Sequence, residues 1–240
     1  MTLDYDTMAQ EYAQHRQVHP EVLKKLMQIG AVDAASRVLD VGCGTGNYTV
    51  ALHQNTGCSC WAVEPSAQML ATAKARHPKG HFSLASAEEL AFPADFFDLV
   101  FSVDVIHHVH DRPAYFRQAY DVLKPGGQIC TVTDSEQIIR NRQPLSVYFP
   151  ETIEFELQRY ARIAHLHTMM HQAGFCDMQK ITVEFTYSLT NIDNYRAKAF
   201  SCLHLIPPTA LQRGLQRMEE DLRAGAIRGN SRYVLVRGRK

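Results

Sequence analysis

Three glycines stand at alternate positions in Gly42-Cys43-Gly44-Thr45-Gly46, between the apolar run Val38-Leu39-Asp40-Val41 and a helical pattern from Tyr48 to His53. Glycine has no Cβ, so a strand, glycine loop and helix in this order let backbone approach a ligand closely. Alone, such a loop fits a ligand cradle or a tight turn. Its spacing is not the Gly-x-Gly-x-x-Gly of dinucleotide folds. No Lys follows it, which argues against a P-loop. Asp40 closes the strand, where a carboxylate cannot serve an apolar core, and is expected to order the loop's amides. The next apolar run, Cys60-Trp61-Ala62-Val63, ends in Glu64-Pro65. Glu64 lies about 20 residues past the loop, the separation at which such folds place an acid on a ribose hydroxyl pair. The other reading is an exposed acid at a strand end.

Histidines supply the remaining candidates for proton or metal chemistry. His107, His108 and His110 fall in Ile106-His107-His108-Val109-His110. A His titrates near neutral pH, so His107 is the candidate for a base; a structural role is the alternative. No carboxylate stands at a fixed helical spacing from these three, so no metal is expected there. His167 and His171 are four apart and share a helix face; a solvated face suits them better than a metal site.

The elements that must position these groups alternate. His19-Pro20 opens a helix with Val22, Leu23, Leu26 and Ile29 at helical spacing, and Gly30 ends it. Ser66 is a plausible N-cap for residues 67–76. Phe82-Ser83-Leu84 and Phe97 to Ser102 are strands. Asp111-Arg112-Pro113 opens a helix to Leu123, which Lys124-Pro125-Gly126-Gly127 breaks before the β-rich run Gln128 to Thr133. Strands separated by helices imply a parallel sheet covered on both faces. The regularity fails at Asp134. Residues 135–150 are polar and carry Tyr148-Phe149; residues 152–174 read as helix and 175–187 as strand. A long helical stretch, with Tyr195 and Phe200, precedes the closing strand Tyr233 to Val236.

Val38 to Thr49, Glu64-Pro65-Ser66-x-x-Met69-Leu70 and Leu123-Lys124-Pro125-Gly126-Gly127 together resemble class I S-adenosylmethionine (SAM) dependent methyltransferases. The flavour is the small-molecule group related to the ubiquinone/menaquinone C-methyltransferases. The likeness covers about residues 1–135. It implies a single Rossmann-like α/β domain over residues 1–240: a doubly wound, mostly parallel seven-stranded sheet with helices on both faces and an antiparallel last strand. It implies a cofactor, SAM, leaving as S-adenosylhomocysteine (SAH). Asp40, Gly42, Gly44 and Gly46 would approach its methionine and ribose part, and Glu64-Pro65 the ribose. Met69 would pack on the adenine or lie in the core. Ser86 stands where relatives often have an Asp for the adenine amino group, which leaves Ser86, Ala87 or Glu88 for that contact. Ser102 and Val103 would line the methionine end through carbonyls. Residues 1–30 would cover the cofactor, with Tyr5, Tyr12 and Arg16 as its contacts, unless they are surface helix. About 40 residues separate the last two strands, which usually form a tight hairpin. With 135–150, the stretch 188–230 reads as a substrate cap carrying His107's neighbours in the acceptor pocket: Tyr148, Phe149 and Tyr195.

Lys plus Arg and Asp plus Glu number 25 each over 240 residues. A neutral chain argues against nucleic acid as main partner, since phosphate contacts need clustered cations. Cys58-Ser59-Cys60 has the wrong spacing for structural zinc. The start of the chain lacks signal-peptide regions and no run approaches a membrane span. A soluble, cytoplasmic enzyme acting on a small-molecule acceptor is expected, its acceptor atom (O, N or C) left open. A non-catalytic SAM- or SAH-binding relative is the alternative. A nicotinamide oxidoreductase is disfavoured by the glycine spacing.

Overall fold

The computed structural model describes residues 17–240. Tyr5, Tyr12 and Arg16, and most of the expected N-terminal cover, lie outside the described residues. The sheet has seven strands: β1 (Arg37–Val41), β2 (Ser59–Glu64), β3 (His81–Leu84), β4 (Phe97–Val103), β5 (Leu123–Thr133), β6 (Cys176–Leu189) and β7 (Ile227–Arg239). Their order is β3-β2-β1-β4-β5-β7-β6. β1 to β5 pair in parallel, and β7 runs antiparallel to both β5 and β6. The chain walks outward from β1 to β3, then returns to lay β4 on β1's other side. That reversal is the switch point, where open α/β sheets leave a crevice at the carboxyl ends of their strands.

Helices cover both faces. α1 (Pro20–Ile29) starts at His19, whose Nδ1 accepts from the Val22 N–H, and α3 (Ala67–Arg76) starts at Ser66, whose hydroxyl accepts from Met69. α2 (Asn47–Thr56) follows the glycine loop, and α4 (Arg112–Val122) is capped by Asp111. Side chains alternate across a strand. Val38, Leu99, Phe101 and Val132 therefore pack with Val22, Leu26 and Leu52 of α1 and α2. Leu39, Val100 and Ile129 pack with Tyr115, Phe116, Leu166 and Met170 on the other face. Burying a side chain of this size stabilises by about 1.5–3 kcal/mol.

Several boundaries differ from the sequence reading: the closing strand, expected over Tyr233 to Val236, runs from Ile227 to Arg239. The Pro-Gly-Gly segment ends α4 but is drawn into β5, whose Leu123 pairs with Phe97 across a register shift, with Gly126 at φ +82°. The expected helix over 152–174 is broken at Tyr160 into α7 (Thr152–Arg159) and α8 (Ile163–Gln172).

The cap stretches fold together. Residues 135–150 form α5 (Glu136–Arg140) and α6 (Leu145–Tyr148). The long insertion forms α9 (Asp193–Arg196), a 3-10 turn (Ser201–His204) and α10 (Pro208–Ala224). Leu145, Phe149, Ile192, Leu203 and Met218 join in a separate apolar cluster. β6 and β7 pair from Cys176 and Arg239 out to Leu189 and Ile227, while β5 pairs with β7 only as far as Thr133 and Val234. Residues 227–233 therefore overhang the carboxyl edge of the sheet, and the cap stands on that overhang. None of the described helices is long and apolar enough to cross a membrane.

Candidate functional site

Gly42, Gly44 and Gly46 adopt φ of +72°, +55° and +79°, a region that L side chains rarely enter. The N–H groups of Gly42 and Cys43 both donate to the Val63 carbonyl, at 2.8 and 3.1 Å, which ties the loop to the end of β2. A Cβ on Gly42 would sit 2.5 Å from Val105 Cγ2, so the chain leaving β4 also demands this glycine. Gly46 caps α2 and faces Ala73 of α3 rather than a cleft.

The two carboxylates divide the work differently from the sequence expectation. Glu64 is buried, at 6% exposure, not an open strand-end acid. Its Oε2 accepts from the Gly44 N–H at 2.9 Å and its Oε1 from the Ser66 N–H at 3.0 Å. Glu64, not Asp40, thus orders the loop amide. Asp40 sits on the α1/α2 side of β1 and accepts from the Thr49 hydroxyl at 2.7 Å and from the Thr49 N–H. Burial pushes its carboxyl up to about 7; the Thr49 bond opposes this and the Glu64 charge adds to it.

Three clefts meet above the switch point. The first holds about 680 Å³ of open space between Gly42, Gly44, Glu64, Pro65, Met69 and Val103, and reaches His107, His108 and Tyr160. The second lies between the glycine loop and Tyr233, with Asp40, Asn47 and Tyr48 on its walls. The third is a chamber beneath the cap, where Tyr187, Tyr195, Phe200 and Tyr233 share its wall with the charged Asp134, Arg142, Glu156 and Arg232. Tyr160 and Ser201 belong to the first and the third. The Tyr160 ring stacks on His107, centroids 4.0 Å apart and 19° from parallel. Burial, then the nearby Glu156 and Asp104 charges, hold its phenol well above the ordinary value. Arg142 underlies the chamber, ion-paired to Asp134 and, at 3.4 Å, to Glu156.

Other expected residues fall elsewhere. Ser86, Ala87 and Glu88 line none of these clefts; Glu88 instead accepts from the His110 and Asp111 N–H groups at 3.0 and 3.3 Å, fixing the turn into α4. Ser102 is buried beneath the site, its hydroxyl bonded to Tyr115 at 3.2 Å. Phe149 is fully buried and stacks on Tyr195, and Tyr148 turns to an outer groove where its hydroxyl donates to Asp221. Among the described residues no three His, Cys, Asp or Glu side chains converge as a metal site. Asp104, Tyr160, Tyr187 and Tyr233 were not anticipated. Asp104 had one signal, its place just past a strand's carboxyl end at the switch point. Tyr160 had none.

Residues 39–131 match the family model of a methyltransferase domain. The chain carries a methyltransferase domain. The match spans the glycine loop, Glu64 and the first five strands, and its motifs are those of the SAM-dependent type. Over 187 residues the chain is 28% identical to the demethylmenaquinone methyltransferase of Bacillus velezensis, covering 73% of this chain and 80% of that one. Over 119 residues it is 32% identical to phosphoethanolamine N-methyltransferase 3 of Arabidopsis thaliana, covering 48% of this chain. It spans only 24% of that plant relative's length. The fold matches a Haemonchus contortus phosphoethanolamine N-methyltransferase 2, solved with phosphomonomethylethanolamine and SAH, at TM-score 0.62 and 21% identity, over 98% of this chain and 57% of that one. That likeness shows the fold.

Proposed function

We propose that this protein transfers a methyl group from SAM to a small-molecule acceptor held in the chamber beneath the cap. Supplied with SAM, the site has a methyl carbon on a sulfonium, a strong electrophile that needs no metal or redox partner. The observation that carries the reading is Glu64. It accepts from the Gly44 and Ser66 amides and lines the cleft beside the loop it orders, where a carboxylate suits a ribose's two hydroxyls. Gly42 and Gly44 bring bare backbone to this cleft, Met69 and Pro65 supply its apolar wall, and Val103 closes it from β4.

What the chain contributes to the transfer is position and dryness. Holding two reactants in line can supply about 7–11 kcal/mol of a barrier. The shared Tyr160–Ser201 wall sets the two clefts end to end, and the cap from 135–150 and 188–230 roofs the acceptor side, so water is excluded from the reacting centre. On this reading Tyr195 and His107 bear on the acceptor or on the wall before it, while Tyr148 and Phe149 hold the cap together.

The relatives suggest acceptors to try: demethylmenaquinone and phosphoethanolamine. The test is calorimetric titration with SAM, SAH and NADH. Micromolar binding of SAM and SAH with no NADH binding supports the reading. NADH binding, or none by either sulfur compound, refutes it.

A further inference from the structure

β6 ends the sheet on the side of β7. It runs for 14 residues and pairs with β7, and no described strand pairs with its other side. Such an edge presents a row of backbone N–H and C=O groups to any strand that can approach it. The opposite edge is guarded by its shortness, since β3 is only the four residues His81–Leu84. β6 has no proline, and its one irregularity lies between Cys176 and Gln179, where Asp177 turns at φ +48°. From Gln179 to Leu189 its pairing is regular.

The side chains on this regular stretch complement themselves. Lys180-Ile181-Thr182-Val183-Glu184 reads as cation, β-branched apolar, Thr, β-branched apolar, anion. Laid antiparallel on a second copy, about a two-fold axis at Thr182, it sets Lys180 opposite Glu184 twice. It also sets Ile181 opposite Val183 twice, and Thr182 opposite itself. Facing opposite charges and facing β-branched or Thr pairs are the contacts that stabilise neighbouring strands, and a two-fold interface needs this self-complementarity. The register is specified, because any shift of the axis from Thr182 separates the two charges. Lys180 is the only base on β6, and the other acid, Asp177, sits in the bulge and is ion-paired to Arg239. Lys180, Thr182 and Glu184 are exposed, and on β7 Lys180 faces Val236, which offers it no charge. Phe185, 43% exposed, falls opposite Gln179 of the second copy, whose stem would cover the ring.

We infer that β6 is an interface between two copies of this chain, joined by antiparallel pairing of residues 179–185 into one continuous sheet. Glu184 links this seam to the acceptor chamber. Its Oε1 accepts from Asn230 Nδ2 at 2.7 Å and its Oε2 from Arg232 Nε at 2.8 Å, and both residues line that chamber. Lys180 of the second copy thus meets a carboxylate already fixed in place, and the seam lies directly behind the chamber wall. Dimer formation stands apart from the methyl transfer proposed above, so either can fail without the other.

A single strand edge is a small contact, and small contacts make weak pairs. The test is sedimentation equilibrium of the full chain from about 1 to about 100 µM, which covers weak pairs of this kind. A monomer–dimer equilibrium with its dissociation constant inside that range is expected. Lys180→Glu, which lies outside the clefts described above, should keep the wild-type Tm and weaken the dimer at least tenfold, because like charges then face each other at two places. Glu184→Lys should weaken it as well. An equimolar mixture of the two variants should restore a heterodimer of about wild-type affinity, since every facing pair is again opposite in charge. Should Glu184→Lys not fold, Glu184→Gln takes its place, and its mixture with Lys180→Glu should recover at least threefold of the lost affinity. Hydrogen exchange of the 179–185 amides should slow between the lowest and highest concentration in the wild type and not in Lys180→Glu. A chain that stays monomeric at the highest concentration overturns the inference and leaves the edge to another protein or to residues 1–16. A dimer that Lys180→Glu leaves intact overturns it too, as does a mixture of folded variants that forms no heterodimer.

Discussion

Replacing Glu64 by alanine separates the two tasks given to this carboxylate. In the free protein it accepts from the Gly44 and Ser66 N–H groups at 2.9 and 3.0 Å and is 6% exposed. Leaving a buried donor unpaired costs about 1–3 kcal/mol, so with two donors left the variant should lose roughly 2–6 kcal/mol of stability. A chain of this size loses about 2–4 °C per kcal/mol, which places the fall in Tm at roughly 4–24 °C. Burial predicts a damaged but folded protein. Ribose recognition adds a second, independent loss. Each hydrogen bond to a charged group is worth about 1.5–3 kcal/mol, which corresponds to roughly 10- to 150-fold in affinity. SAH should therefore bind at least tenfold more weakly, measured by calorimetry at a temperature well below the variant's own melting point. Differential scanning calorimetry without ligand gives the first quantity and the titration the second. A variant with the lowered Tm and wild-type SAH affinity would refute the ribose assignment and leave Glu64 as a loop brace only.

Asp40 makes stability depend on pH in an unusual direction. Its folded value of about 7 exceeds the ordinary 3.8, so between these values the folded state binds more protons than the unfolded one. Stability from this group is greatest at low pH and declines by up to about 1.4 kcal/mol per unit as pH rises toward 7; denaturant melts of Asp40→Asn should lack that slope, and an unchanged slope contradicts the burial argument. Gly42→Val should abolish SAH binding in calorimetry, since its first carbon meets Val105 at 2.5 Å and its φ of +72° opposes a branched side chain; wild-type affinity would mean that the ligand does not lie on this loop. Gly214→Ala would ordinarily stabilise a helix interior by about 1 kcal/mol. In α10 the added carbon would lie 2.2 Å from Phe149 Cε1 and 2.7 Å from the Tyr148 carbonyl, so a net loss of about 1–3 kcal/mol is expected from overpacking, read as a lower Tm with SAH binding retained. A rise in Tm would show that the cap is looser than its packing implies.

The parts of this protein that could be read from its sequence are those where one local rule decides the outcome. Strand and helix alternate with apolar runs of the right length, and the sheet followed. Ser66 before a helical run caps α3 because the hydroxyl reaches an N–H three residues on, a contact set by local geometry alone. The glycines announced themselves through spacing. What stayed hidden depends on which distant surface a side chain meets. Tyr148, Phe149, Tyr195 and Phe200 are equivalent aromatics in the sequence, yet Phe149 fills the cap's interior against Gly214 while Tyr195 and Phe200 face the chamber. Their helices are four residues or shorter, or absent, and such segments show too little periodicity to tell an inner face from an outer one. Ser102 and Val103 drew attention as the end of β4, but the residue that reaches every cleft is the next one. Asp104 owes that position to a positive φ that composition cannot show and to a tyrosine 129 residues away. Glu64 shows both regimes in one residue: its spacing from the loop marked it as functional, and only the folded loop showed that the acid which would hold a ligand also holds the cradle.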